Sequence, residues 1–85
     1  MEEEIRRAVE ALGVKKFVRL ELSSFSDVKK FLSFVGSLGR RVVVLVPFGK
    51  EDLALEIKNE LALNGVEPFV FMSSSLGDNE VVAGI

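Results

Sequence analysis

Ile5, Ala8, Val9 and Leu12 recur at i, i+3, i+4 and i+7, the spacing that lines one face of an α-helix. Glu2, Glu3 and Glu4 stand where the helix dipole favours acids, and Arg6 and Arg7 follow two of them by four residues. With Gly13 placed to close the far end, the pattern predicts a helix over about 2–12. The rhythm then changes. Across residues 16–22, Val18, Leu20 and Leu22 alternate with Phe17, Arg19 and Glu21, which predicts a strand with one wet face at a sheet edge. Ser24 and Asp27 have capping-box spacing for a second helix reaching about Leu38. Its apolar arc is Val28, Phe31, Leu32, Phe34, Val35 and Leu38, and Gly39 ends it.

Val42-Val43-Val44-Leu45-Val46 is apolar without alternation, as a strand covered on both faces requires, so it is expected at the centre of the sheet. Pro47-Phe48-Gly49 turns the chain into a third helix, Glu51 to Leu63, whose core stripe is Leu53, Ala54, Ile57 and Leu61. Asn64-Gly65 ends that helix, and a third strand follows Pro68 through Phe69-Val70-Phe71-Met72. Ser73–Asn79 reads as loop, and Val81-Val82-Ala83 as a short strand or a docked tail. The order α-β-α-β-α-β predicts a single α/β domain over 1–85 with a three-stranded parallel sheet in the order 1-2-3. Both crossover helices then share one face, and the first helix covers part of the other.

Composition narrows what such a domain can do. The chain has 85 residues and 9.4 kDa, too small for a second core, and its 48% hydrophobic content is that of a folded protein. Eleven Lys+Arg against thirteen Asp+Glu give a net charge of -2, which argues against nucleic-acid binding by bulk charge. Without Cys there are no disulfides, thiolate chemistry or sulfur-ligated zinc; without His the usual neutral-pH base is missing. Thr and Gln are absent too, a bias that resembles proteins from hot environments, whereas the deamidation-prone Asn64-Gly65 points the other way. The acidic start Met1-Glu2-Glu3-Glu4 has no apolar signal core and no apolar run approaches ~18 residues, so a cytoplasmic protein off the membrane is expected. The apolar ending Val81 to Ile85 suits a docked tail or a truncation point.

In an open parallel sheet, ligands sit beyond the carboxyl ends of the strands, where loops meet helix N-termini. Here those loops bring Ser23, Ser24 and Ser26, then Gly49 and Lys50, then Ser73, Ser74 and Ser75, a set able to converge on one anion. The same serines also serve as caps and loop residues, and no P-loop or dinucleotide glycine pattern is present. The opposite edge collects Lys15, Lys16, Arg40 and Arg41, residues that can contact nucleic-acid phosphates or merely solvate the strand starts, with Phe17 as the nearby Phe. Acid–base work needs two carboxylates at one site; Glu51 and Asp52 sit where acids serve a helix dipole, and Glu21 and Asp27 can approach each other near the end of the first strand. No catalytic residue, metal site or cofactor is assigned. In the third helix, Leu55, Ala62 and Leu63 lie off the core stripe, so this helix is either covered by the C-terminal tail or offers a surface for a partner or a second copy.

Residues 17 to 72 resemble in outline the Toprim fold of primases, topoisomerases and small nucleases. The alignment rests on Ser23-Ser24-Phe25-Ser26-Asp27-Val28 and on Val43 through Glu51, which match that family's strand–helix–strand–helix spacing. Ser23 stands at the family's glutamate and Pro47 and Gly49 at its two aspartates, so the resemblance implies a non-catalytic relative unable to hold Mg²⁺. Val43 to Asp78 is also similar to the anticodon-binding domain of class II aminoacyl-tRNA synthetases, through Val-Leu-Val-Pro-Phe-Gly, Ala54-Leu55-Glu56-Ile57 and Asn64-Gly65-Val66-Glu67. Both resemblances imply a nucleic-acid setting. The leading expectation is therefore a non-catalytic domain that self-associates and binds a macromolecular partner, within nucleic-acid metabolism. The competing one is a phosphate- or nucleotide-ligand protein, or a small enzyme, using the serine-rich edge with Lys50.

Overall fold

The computed structural model describes residues 2–22, 25–37 and 41–85. Along the chain run α1 (Glu2–Ala11), β1 (Phe17–Glu21), α2 (Phe25–Gly36), β2 (Arg41–Pro47), α3 (Glu51–Leu63), β3 (Glu67–Ser73) and β4 (Glu80–Gly84). Two of the helices close in the same way. Gly13, at φ +84, and Gly65, at φ +74, each take the left-handed conformation that a side chain disfavours. Each is followed by a valine whose N–H bonds a carbonyl five residues back: Val14 to Val9 and Val66 to Leu61, both at 2.9 Å. Val14 and Val66 are buried against the helix end they close, which aims the chain into β1 and β3.

The sheet has four strands in the order β1-β4-β2-β3 and is mixed, which corrects the expected three-stranded parallel sheet in the order 1-2-3. β2 and β3 pair in parallel, with Val43 opposite Phe69 and Pro47 opposite Ser73. β4 is antiparallel to both its neighbours, setting Phe17 opposite Gly84 on one side and Val43 opposite Gly84 on the other. β1, β2 and β3 therefore point the same way, as the β-α-β order requires, but β4 is driven between the first two. Val81, Val82 and Ala83 are completely buried because side chains alternate across a strand covered on both faces.

That alternation divides the core. Val42, Val44 and Val46 of β2, with Val81 and Ala83, meet Val28, Phe31 and Val35 of α2 and Ile57 and Leu61 of α3. Val43, Leu45 and Val82 meet Ile5 and Val9 of α1, with Val14 and Leu76 closing the sides. Two helices thus lie on one face and one on the other, around a domain of radius of gyration 11.5 Å, close to the roughly 12 Å typical of this length. Gly84 is fixed by this arrangement: a Cβ there would come within 2.3 Å of Val14 Cγ1 and 2.8 Å of the Lys16 carbonyl oxygen. No helix among the described residues is long and apolar enough to cross a membrane.

Candidate functional site

The carboxyl ends of β1, β2 and β3 do face one edge, but the expected anion site is not assembled there as one cluster. Ser23 and Ser24 lie outside the described residues. Ser26 is the second residue of α2, beyond β1, whereas Gly49 and Lys50 follow β2; β4 stands between those two strands, a separation of roughly 10 Å across the sheet. Gly49 and Lys50 have nearer neighbours in Ser73, Ser74 and Ser75, because β2 and β3 end side by side at Pro47 and Ser73. Lys50 is the N-cap residue of α3 and makes no side-chain capping bond there, while Glu51 and Asp52 set two exposed acids in the first turn. The serine loop is partly engaged with itself, Ser75 N–H donating to Ser73 Oγ at 3.2 Å. Ligands in open sheets gather where the helices of adjacent strands leave on opposite faces, and here α2 and α3 share a face.

At the opposite edge the basic residues are likewise divided. Lys15 and Lys16 are exposed before β1, and Ile85 lies between them and β2: the Lys15 N–H donates to its carbonyl at 3.0 Å. Arg40 falls outside the described residues. The Arg41 guanidinium lies 4.8 Å from the centre of the Phe69 ring, so Phe17 is not the one aromatic beside this edge. The register, not the local sequence, brings Phe69 there. Arg6 of α1 sits 5.6 Å over Phe17 in the same manner.

α3 leaves Leu55, Ala62 and Leu63 exposed, the two leucines by 59% and 81%. The tail does not cover them, because it forms β4 inside the sheet. They do not form one patch either. At 100° per residue Leu55 and Ala62 share a stripe, and Leu63 lies most of a quarter-turn or more away, towards the side where Glu60 faces α2.

Two concavities were not legible as such in the sequence. A cleft of about 570 Å³ between α2 and α3 is lined by Lys29, Leu32, Ser33, Glu60, Asn64 and Val66. A groove of about 350 Å³ runs between β1 and α2, formed by Val18, Leu20, Phe31 and Phe34 with Glu21, Asp27 and Lys30 at its margins. Glu21 and Asp27 both border this groove, beside an apolar wall and a lysine, but strand alternation turns the Glu21 side chain to the other face of the sheet with Phe17 and Arg19. Val18 is 37% and Phe34 41% exposed there. Across the sheet from the groove, Arg19 Nε donates to Glu80 Oε2 at 3.0 Å, and the other Glu80 oxygen accepts from Gly77 N–H at 3.4 Å. Among the described residues no three acids, His or Cys gather as a metal would require. Comparison with protein-family models, curated proteins and solved structures finds no match to this chain.

Proposed function

We propose that this chain is a non-catalytic binding domain that works by associating with a copy of itself, and through that assembly serves a macromolecular partner. The observation that carries this reading is the flank at β1. There an edge strand, joined to the sheet through β4, adjoins a groove whose apolar residues Val18 and Phe34 stay in contact with water. Val18 and Phe34 are two of several large apolar side chains left exposed, and these two border one groove at an open strand edge, which favours a use for them. The side-chain inventory supports the non-catalytic half: without His, Cys or Tyr, no nucleophile–base pair of the usual kind can be built. The nucleic-acid setting rests on the Toprim-like and anticodon-binding-like resemblances of the sequence.

The test is solution mass by light scattering over a wide concentration range, with refractive-index detection because the chain has no Trp or Tyr. Twice the 9.4 kDa chain mass at high concentration is the expected result, and a monomer throughout overturns the reading. A second reading, a phosphate-ligand site, is favoured by one feature: the side-by-side ends of β2 and β3 that neighbour Lys50 with Ser73 and Ser75. Titration with inorganic phosphate should then shift the amide resonances of Gly49, Lys50 and Ser73–Ser75 together, and unmoved resonances at millimolar phosphate exclude it.

A further inference from the structure

Building on the self-association reading, we infer that the second copy docks along β1, the two strands antiparallel about a two-fold axis at Leu20, with Arg19 of each copy facing Glu21 of the other. The backbone sets the first condition. Leu22 donates its N–H to the Asn79 carbonyl at 2.6 Å, and Ile85 donates to the Lys16 carbonyl at 3.1 Å. Even-numbered residues of this strand therefore bond towards β4, and Phe17, Arg19 and Glu21 direct their N–H and C=O groups to the outer edge. In a symmetric antiparallel pair, outward groups must meet outward groups, so the axis passes through a residue and not between two.

Charge and polarity then choose among the registers. An axis at Arg19 sets two guanidinium groups directly opposite each other, which is destabilising. An axis at Val18 puts Lys16 opposite Leu20 on the groove side and leaves Glu21 facing Lys15, whose N–H is already turned to Ile85. An axis at Leu20 avoids both. Arg19 meets Glu21 twice on the α1 side of the sheet, and Leu20 meets Leu20, with Val18 opposite Leu22, on the groove side. Glu21 has no ion-pair partner among the described residues, so the contact would complete it. Arg19 already lies on Glu80, so its side chain is held on the face where the contact forms. Phe34 then overhangs the joined strands and gains cover from the second copy. The paired segment is short, so the interface is small and the dimer concentration-dependent.

Because the chain has no Cys, single cysteines can report the register. In the proposed pair the two Leu20 Cβ atoms lie about 5 Å apart, within disulfide reach, whereas the two Val18 residues are offset by roughly 14 Å along the strands. Under mild oxidation Leu20→Cys should cross-link at least tenfold faster than Val18→Cys, and Glu21→Arg should weaken the wild-type dimer tenfold or more by light scattering while circular dichroism shows the fold retained. A dimer that Glu21→Arg leaves intact, or one that cross-links faster through position 18, overturns this geometry and leaves self-association standing. A wild-type chain that is monomeric at every concentration overturns both.

Discussion

The two edges of the sheet are built differently. β3 carries Pro68, which has no N–H to offer a further strand, and Arg41 from the neighbouring β2 lies over its Phe69 ring. α3 packs along it, so this edge is guarded even though Phe71 stays half out. β1 has no proline, presents three consecutive outward N–H and C=O pairs by alternation, and borders an apolar groove. Its guard is only the charge of Arg19 and Glu21, and opposite charges two residues apart invite a copy of the same edge more readily than they repel it. One edge is closed by covalent chemistry, the other by a pattern that is complementary to itself.

The sharpest way to break the comparison is to unseat β1 alone. Gly84→Val drives a side chain into Val14, Lys16 and Phe17, all on the β1 side, and should cost about 3 kcal/mol or more. Hydrogen exchange should show β1 amides losing protection while those of β2 and β3 keep most of theirs. Val18→Lys comes next. It places a charge on the open edge, so the dimer should weaken at least tenfold by light scattering, with stability to denaturant changed by no more than about 0.5 kcal/mol. On the guarded side, Arg41→Ala removes the cation over Phe69 and should lower stability by about 0.5–1 kcal/mol in urea melts. Pro68→Ala should change stability least, within about 0.5 kcal/mol. If it also produces association that Glu21→Arg does not reverse, the proline is what keeps β3 closed.

Much of this fold can be read from side-chain rhythm. The uninterrupted Val42–Val46 run marked an inner strand, and β2 is one; the alternation across residues 16–22 marked an edge, and β1 is one. The stripe and turn residues bounded α3 at Glu51 and Leu63, as observed. Val81-Val82-Ala83 obeys the same rule as β2, apolar without alternation, but three residues are too few to separate an inner strand from a docked tail. Its antiparallel direction and its place between β1 and β2 depend on partners about 60 positions away in β1 and about 40 away in β2, which no local period records. The scattering of the anion candidates follows from that one insertion, since Ser26 and Lys50 would follow adjacent strands without it. The β1 groove was half legible: Val18 and Phe34 carry the right periods, but only the packing of α2 against β1 shows that they remain uncovered.

The insertion of β4 also sets a timetable. Phe17 finds its partner in Gly84, so β1 cannot join the sheet until residues 80–84 have been made. At roughly 5–20 residues per second of synthesis, β1 leaves the ribosome several seconds before the strand that anchors it, with both of its margins open. α2 meanwhile can shelter Leu20 and Leu22, and β2, α3 and β3 can assemble as a parallel unit in its absence. Nascent chains on one message would therefore present β1 to each other before each has completed its own sheet, and the proposed pairing between copies would compete in time with closure by β4.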